Sequence, residues 1–414
     1  ATCVMNDRGC CAGGSGVGAV MGSKNLKALA ARGSRPIEIA EPERFMKIVD
    51  EALKRINNMP RVDEIRVKGS YGAQGGKEND AGWLFGYRPV RNGQDDYMDP
   101  KKVAKIGATA FSALRRKTVS CFSCPMSCKP WVEIKDEPYK VQGEGFWNNS
   151  ANSYCAKFDN ENMRAAVYAH LLTNQLGLDG DNAATVISWA FEAYEKGLIT
   201  KEDTDGLELT WGNYESMISM LEKLAHRDGF GDFLADGVVK AAEKLGKGSE
   251  KFALNIKGQD SVDGIRINKQ WGFATVVSPV SGRHLRGAIY RGAVADKFAT
   301  PVNSYENVPE DTYVKQQEKA VMDTLGLCHG RVGFDVLPGL VSAATGKDLS
   351  KDELMLVGLR AHNLEKAFNT LHAGFTRRDD YPCDRYWNEP VKSGPFKGER
   401  IDHDVWEKML DRYY

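Results

Sequence analysis

No run of roughly 18 apolar residues, the length a membrane-spanning helix needs, occurs in this chain, and residues 1–30 lack the basic, apolar and small-residue succession of a secretory leader. Net charge is lacking too. Lys plus Arg and Asp plus Glu stand at 56 each, so no bulk field draws the chain to nucleic acid or to an anionic membrane, and any partner must be recognised by a local patch. Cysteine is scarce, nine in 414 residues, too few and too unevenly spaced for a disulfide scaffold. Short-period repeats and low-complexity tracts are absent. These absences leave a cytoplasmic, reducing setting, no membrane insertion and no nucleic-acid partner as the expectation.

What is present is enough apolar sequence, 42%, to bury at least two cores, with 27% charged residues. The chain opens at Ala1 straight into a glycine-rich loop, which reads as a piece of a larger protein. A strand is expected over Leu26–Arg32. Helical periodicity begins after Pro42, with Phe45, Ile48, Val49, Leu53 and Ile56 on one face. Residues 58–100 read as long loops and Trp131–Ile134 as a strand. Helices follow at about 160–176, 181–196, 213–228 and 230–245, with Gly177, Gly197, Gly229 and Gly246 as stops. Residues 252–310 are mixed; helices return at about 311–325, 335–345 and 351–373, and the tail from Arg377 reads as a polar surface wrap.

Three of the nine cysteines are clustered as Cys121-x2-Cys124-x3-Cys128, with Cys328 far downstream. Three thiolates on one tight loop can hold three corners of an iron-sulfur cube and a distant cysteine the fourth, because iron needs soft anionic ligands that converge. A structural zinc site pairs two Cys-x2-Cys knuckles, and only one is present. A cluster that cleaves S-adenosylmethionine has the reversed spacing, and a bacterial-ferredoxin run needs another cysteine close by. Cys3, Cys10, Cys11, Cys155 and Cys383 read as small buried or loop residues. The loop Gly13-Gly-Ser-Gly-Val-Gly-Ala19 formally matches a dinucleotide fingerprint, but no strand precedes it and no acidic ribose partner follows. Its glycines are better read as letting backbone amides approach a bulky anion.

Gly16-Val-Gly-Ala-Val-Met-Gly-Ser-Lys-Asn-Leu-Lys-Ala28 resembles the signature of the aldehyde:ferredoxin oxidoreductase family, the tungsten- or molybdenum-pterin enzymes. Later blocks keep the family order: Asn79–Gly82, Arg88–Asn92, the cysteine loop, Gly177-Leu-Asp179, Phe191–Thr200, Trp211–Tyr214, Arg227–Asp232, Arg283–Gly287 and Asp323–Cys328. The resemblance implies an α+β, predominantly α-helical fold. The end of a β-rich pterin-binding base domain would occupy residues 1–40, a helical domain with the cysteine loop 41–250, and a second helical domain 251–414.

It also implies a metal between two pyranopterins and a 4Fe-4S cluster on Cys121, Cys124, Cys128 and Cys328. Asp179 and Asp323 would accept N–H bonds from the pterin rings. Ala12, Gly13, Gly16, Arg286 and Leu327 would complete the cofactor contacts, with magnesium bridging the pterin phosphates. Glu144 and His284 would be catalytic. The implied reaction oxidises a small-molecule aldehyde to a carboxylic acid, with electrons leaving through the cluster to ferredoxin or an iron-sulfur electron-transfer subunit, in a chain that could pair as a homodimer.

Two departures bear on this. The family's glycine-loop arginine is replaced by Gly14 or Ser15, and its acidic run after the cysteine loop has become Val141-Gln-Gly-Glu-Gly-Phe-Trp147, leaving Glu144 as the only acid. The same scaffold could therefore act on another substrate, such as an aromatic acyl-CoA thioester, with Cys155 as a remote candidate metal ligand. An iron-sulfur relay subunit is the third reading. The other histidines read as structural: His170, His226, His329, His362, His372 and His403.

Overall fold

The computed structural model describes residues 2–6, 9–74, 88–260, 264–280, 282–288, 301–328 and 332–414. The Asn79–Gly82 block and His329 lie outside the described residues. Helices dominate, with three small antiparallel sheets among the described residues, as the α+β, predominantly helical expectation holds.

The first sheet is a hairpin of β1 (Val4–Asn6) and β2 (Cys10–Ala12), paired Val4↔Ala12. It leads into the short helix α1 (Val17–Ser23), where the sequence suggested only loop. The expected strand at Leu26–Arg32 is not formed; the segment has no regular secondary structure and no strand partner, and a strand without a ladder has nothing to satisfy its amides. Helix α2 (Pro42–Asn57) starts with proline at its first turn, as its sequence suggests. Within the supposed loop 58–100 lies a helix, α3 (Val62–Gln74), broken at Gly69, whose φ is 74°. Arg61 and Lys68 both pair with Glu64 along it.

The second sheet has the order β3 (Arg115–Val119), β4 (Lys129–Ile134), β5 (Val141–Glu144), with Lys117↔Trp131 and Trp131↔Glu144 in register. The cysteine loop is therefore the β3–β4 connection. Behind it, Tyr71, Phe111 and Phe146 form an aromatic cluster with ring centroids 5.1–5.6 Å apart, offset and edge-on as aromatic quadrupoles prefer.

One core runs from Tyr71 to Ala253 and includes the fully buried Trp189. A second gathers Leu254, Phe273, Tyr386, Trp406 and Leu410, and a third Val321, Leu337 and Leu354. The tail is thus no polar wrap: the helix His403–Tyr413 buries Trp406, Met409 and Leu410. The expected helix 230–245 is two, Phe230–Leu234 and Val238–Leu245, divided at Gly237, whose φ is 94°. Buried ion pairs tie the cores together. Arg385 grips Glu192 at 2.5 and 2.8 Å, and Arg266 meets Asp96 at 2.7 Å with both side chains fully buried.

Candidate functional site

Asp179 caps the helix Gly180–Glu195; its Oδ1 accepts from the Asn182 amide and side chain, both at 2.9 Å, and from Arg283 Nη2 at 3.1 Å. Its Oδ2 turns to the glycine loop so closely that a Cβ on Gly13 would collide with it. Beside it, a Cβ on Gly14 would come within 3.1 Å of Arg283 Nε. The hairpin is held in place by Cys3 N donating to Gly177 O at 2.9 Å, two residues before Asp179.

Around Arg283 three carboxylates converge: Asp179 and Asp260 at 3.1 Å and Asp181 at 3.7 Å. Burial would depress the guanidinium's pKa, but Asp260, Asp179 and Asp181 outweigh it and raise the value. Burial likewise pushes Asp181 up, to about 6, with Arg283 only partly opposing. Asp260 is raised chiefly by burial. So Arg283 lies beside Gly14, but its charge is spent on carboxylates. It positions Asp179.

Three residues on, Arg286 pairs bidentately with Glu365 at 2.8 and 3.0 Å and reaches Asp323 at 3.4 Å, while Lys319 holds Asp323 at 2.5 Å. The segment Arg283–Arg286 therefore contacts both expected pterin aspartates, with His284 between. The His284 ring stacks on Trp271 at 4.6 Å and 19°. Leu327 is partly buried against the third core; Ala12 is exposed, and Gly16 has the left-handed φ of 71° at the start of α1.

Glu144 is buried and forms an ion pair with Lys129 at 2.7 Å; Cys10 Sγ lies 3.8 Å from the same oxygen. The end of the cysteine loop and the glycine-loop hairpin thus meet at Glu144. That loop is anchored by Arg66 Nε on Pro125 O at 3.0 Å, Ser70 N on Cys128 O at 2.9 Å and the buried Met126. Ser123 and Ser127 take left-handed φ values of 54° and 48°. Cys121 and Cys328 are exposed, and Cys124 and Cys128 partly buried beside Met126. Among the described residues, no three Cys, His, Asp or Glu side chains are gathered as a metal site. Helix α2 reaches both neighbourhoods: Arg55 at its end pairs with Asp335, seven residues beyond Cys328, at 2.5 Å, and Ile56 shares a core with Met126.

The residues fit the cofactors in chemistry. Four soft sulfurs, three on an anchored loop, suit an iron-sulfur cube. An aspartate with one oxygen saturated and the other facing a glycine-lined approach suits an aminopterin edge. Cys155 is buried in the first core, and burial pushes its thiol up to about 12. His170 and His362 are each depressed to about 4, mainly by burial. Sequence reasoning missed Lys129, Trp271, Asp181, Asp260 and the positioning role of Arg283; only the Arg283 block carried any signal.

The comparisons place this largely helical chain among oxidoreductases. The family model for aldehyde ferredoxin oxidoreductase, domains 2 and 3, matches residues 47–414. The chain is 30% identical over 421 residues to the tungsten-containing aldehyde ferredoxin oxidoreductase of Pyrococcus furiosus, covering 99% of this chain and 67% of that one. It is 27% identical to the WOR-like subunit of an aliphatic sulfonate oxidoreductase from the same organism, covering 97% and 63%. The active-site complex BamBC of benzoyl coenzyme A reductase shares the fold, with a TM-score of 0.74 at 22% identity, over 96% of this chain and 66% of that one. The chain belongs to the aldehyde ferredoxin oxidoreductase family and spans about two thirds of the length of these relatives.

Proposed function

We propose that this chain is the cluster- and pterin-contacting part of an enzyme that oxidises an aldehyde to a carboxylic acid at a tungsten or molybdenum bis-pyranopterin and delivers electrons through a 4Fe-4S cluster to ferredoxin or a similar iron-sulfur partner. The observation that carries it is the Arg283–Arg286 segment, which contacts Asp179 through one arginine and Asp323 through the other and sets His284 between them.

When bound, the cofactor supplies the two-electron redox step. The chain's own residues bind and orient. Asp179 Oδ2 and Asp323 would accept pterin N–H bonds, with Arg283 and Arg286 fixing the two carboxylates; Ala12, Gly13 and Gly16 would offer backbone to the cofactor's anionic end, where magnesium would add countercharge. His284, its ring held flat on Trp271, would donate to the aldehyde oxygen. Glu144, beside Lys129, would take a proton from the attacking water. Cys121, Cys124, Cys128 and Cys328 would hold the cube.

The reaction consumes an aldehyde and water and yields a carboxylate, protons and two electrons. The full-length protein, purified anaerobically from the cytoplasm with its metals, should reduce a viologen dye with an aldehyde and form the matching acid. Metal-loaded protein that is inert toward a panel of aldehydes but reduces an aromatic acyl-CoA thioester would overturn the substrate assignment. Iron without tungsten or molybdenum would make it a relay subunit.

A further inference from the structure

The β1/β2 hairpin carries sulfur chemistry that the proposed reaction does not use. Side chains alternate across a strand, so Cys3 and Met5 share one face of β1 and its N-terminal flank, and the register Met5↔Cys11 puts Cys11 on that same face. Cys3 Sγ lies 3.4 Å from Met5 Sδ. Cys11 is near enough to act on Cys3: it lowers the Cys3 thiol's pKa, and Cys3 in turn raises that of Cys11. Cys10 belongs to the other face, where it approaches Glu144 and Lys129. Three sulfurs therefore converge, apart from the four assigned to the iron-sulfur cube.

We propose that Cys3, Met5 and Cys11 form a binding site for a thiophilic monovalent ion, copper(I) being the ion whose preference for thiolate and thioether ligands they match. A three-coordinate ion with metal–sulfur bonds of about 2.3 Å holds its sulfurs about 4 Å apart, so the 3.4 Å between Cys3 Sγ and Met5 Sδ needs only a small opening. Cys11 is exposed, which gives the ion a way in. Binding displaces the two thiol protons and transfers no electron. The backbone is ready for it: Cys3 N is bonded to Gly177 O, Cys3 Sγ lies 3.4 Å from Leu178 O, and Thr2 bridges to Leu178. An ion here would pin the strand that leads into Gly13 to the strand anchored next to Asp179.

The test uses full-length protein with its metals in place, titrated anaerobically with copper(I) against bathocuproine disulfonate. Wild type should bind one equivalent that the C3S/C11S variant does not, and Met5→Leu should weaken it about tenfold. One equivalent should also protect Cys3 and Cys11, and no other cysteine, from iodoacetamide, read by peptide mass spectrometry. Equal uptake by wild type and C3S/C11S would overturn the site, and unchanged affinity in Met5→Leu would overturn the three-sulfur assignment. Equal alkylation of Cys3 and Cys11 with and without copper would overturn it using the wild-type chain alone, whatever the variants' folding.

Discussion

Replacing Gly13 by alanine drives a methyl group into the Asp179 carboxylate. The backbone itself does not object, because Gly13 has helical angles of −98° and −47° that alanine adopts freely. The carboxylate must swing away, and it then gives up the cap on the Asn182 amide, about 1 kcal/mol, and the charged hydrogen bond from Arg283, about 1.5–3 kcal/mol. The expected loss is about 2.5–4 kcal/mol of stability, read as a lower urea midpoint with an unchanged slope. Gly14→Ala is the control. Its Cβ meets only the Arg283 side chain, closest at 3.1 Å from Nε, where a shift of a few tenths of an ångström relieves the contact, so it should cost under about 1 kcal/mol. Equal midpoints for Gly13→Ala and wild type would refute the claim that the glycine loop packs directly on Asp179.

Removing a partner of the fully buried Asp96–Arg266 pair, as in Asp96→Ala, should destabilise by about 3–5 kcal/mol in chemical denaturation, since it strands a buried guanidinium. Asp181 is raised to about 6 in the fold from 3.8; its contribution is fully present below the lower value and lost as pH rises through the higher. Asp181→Asn should therefore flatten the fall in melting temperature between about pH 4 and 6, and an unchanged profile would remove Asp181 from the cause. Cys328→Ser should lower bound iron and change the reduced-cluster EPR signal; unaltered values would take Cys328 out of the cluster. His284→Ala should lower turnover with metal content intact, and wild-type aldehyde rates would contradict its role.

The helices were legible where local chemistry announces them. Proline opens α2, Ser350 and Glu353 form a capping box at the start of the helix Lys351–Ala373, and Gly177, Gly197 and Gly246 mark ends with positive φ. Strands β3 and β5 were not legible: Arg115-Arg-Lys-Thr-Val119 is mostly charged and becomes a strand only through pairing with β4. Gly69 and Gly72 hid α3, and the apolar residues of the tail helix were masked by its charged neighbours. In the site, the donor types could be read from spacing and resemblance. Their partners could not, because Arg283 finds Asp179 from 104 residues away and Lys129 finds Glu144 only across a strand pair.

The account depends most on a sulfur-held cube beside a pterin-held heavy metal, and metal analysis of the anaerobically purified full-length protein tests that directly. It predicts iron and tungsten, or molybdenum in its place, at about four to one, with a cluster EPR signal that appears on reduction. Protein that folds and purifies under those conditions with neither iron nor a heavy metal would contradict it.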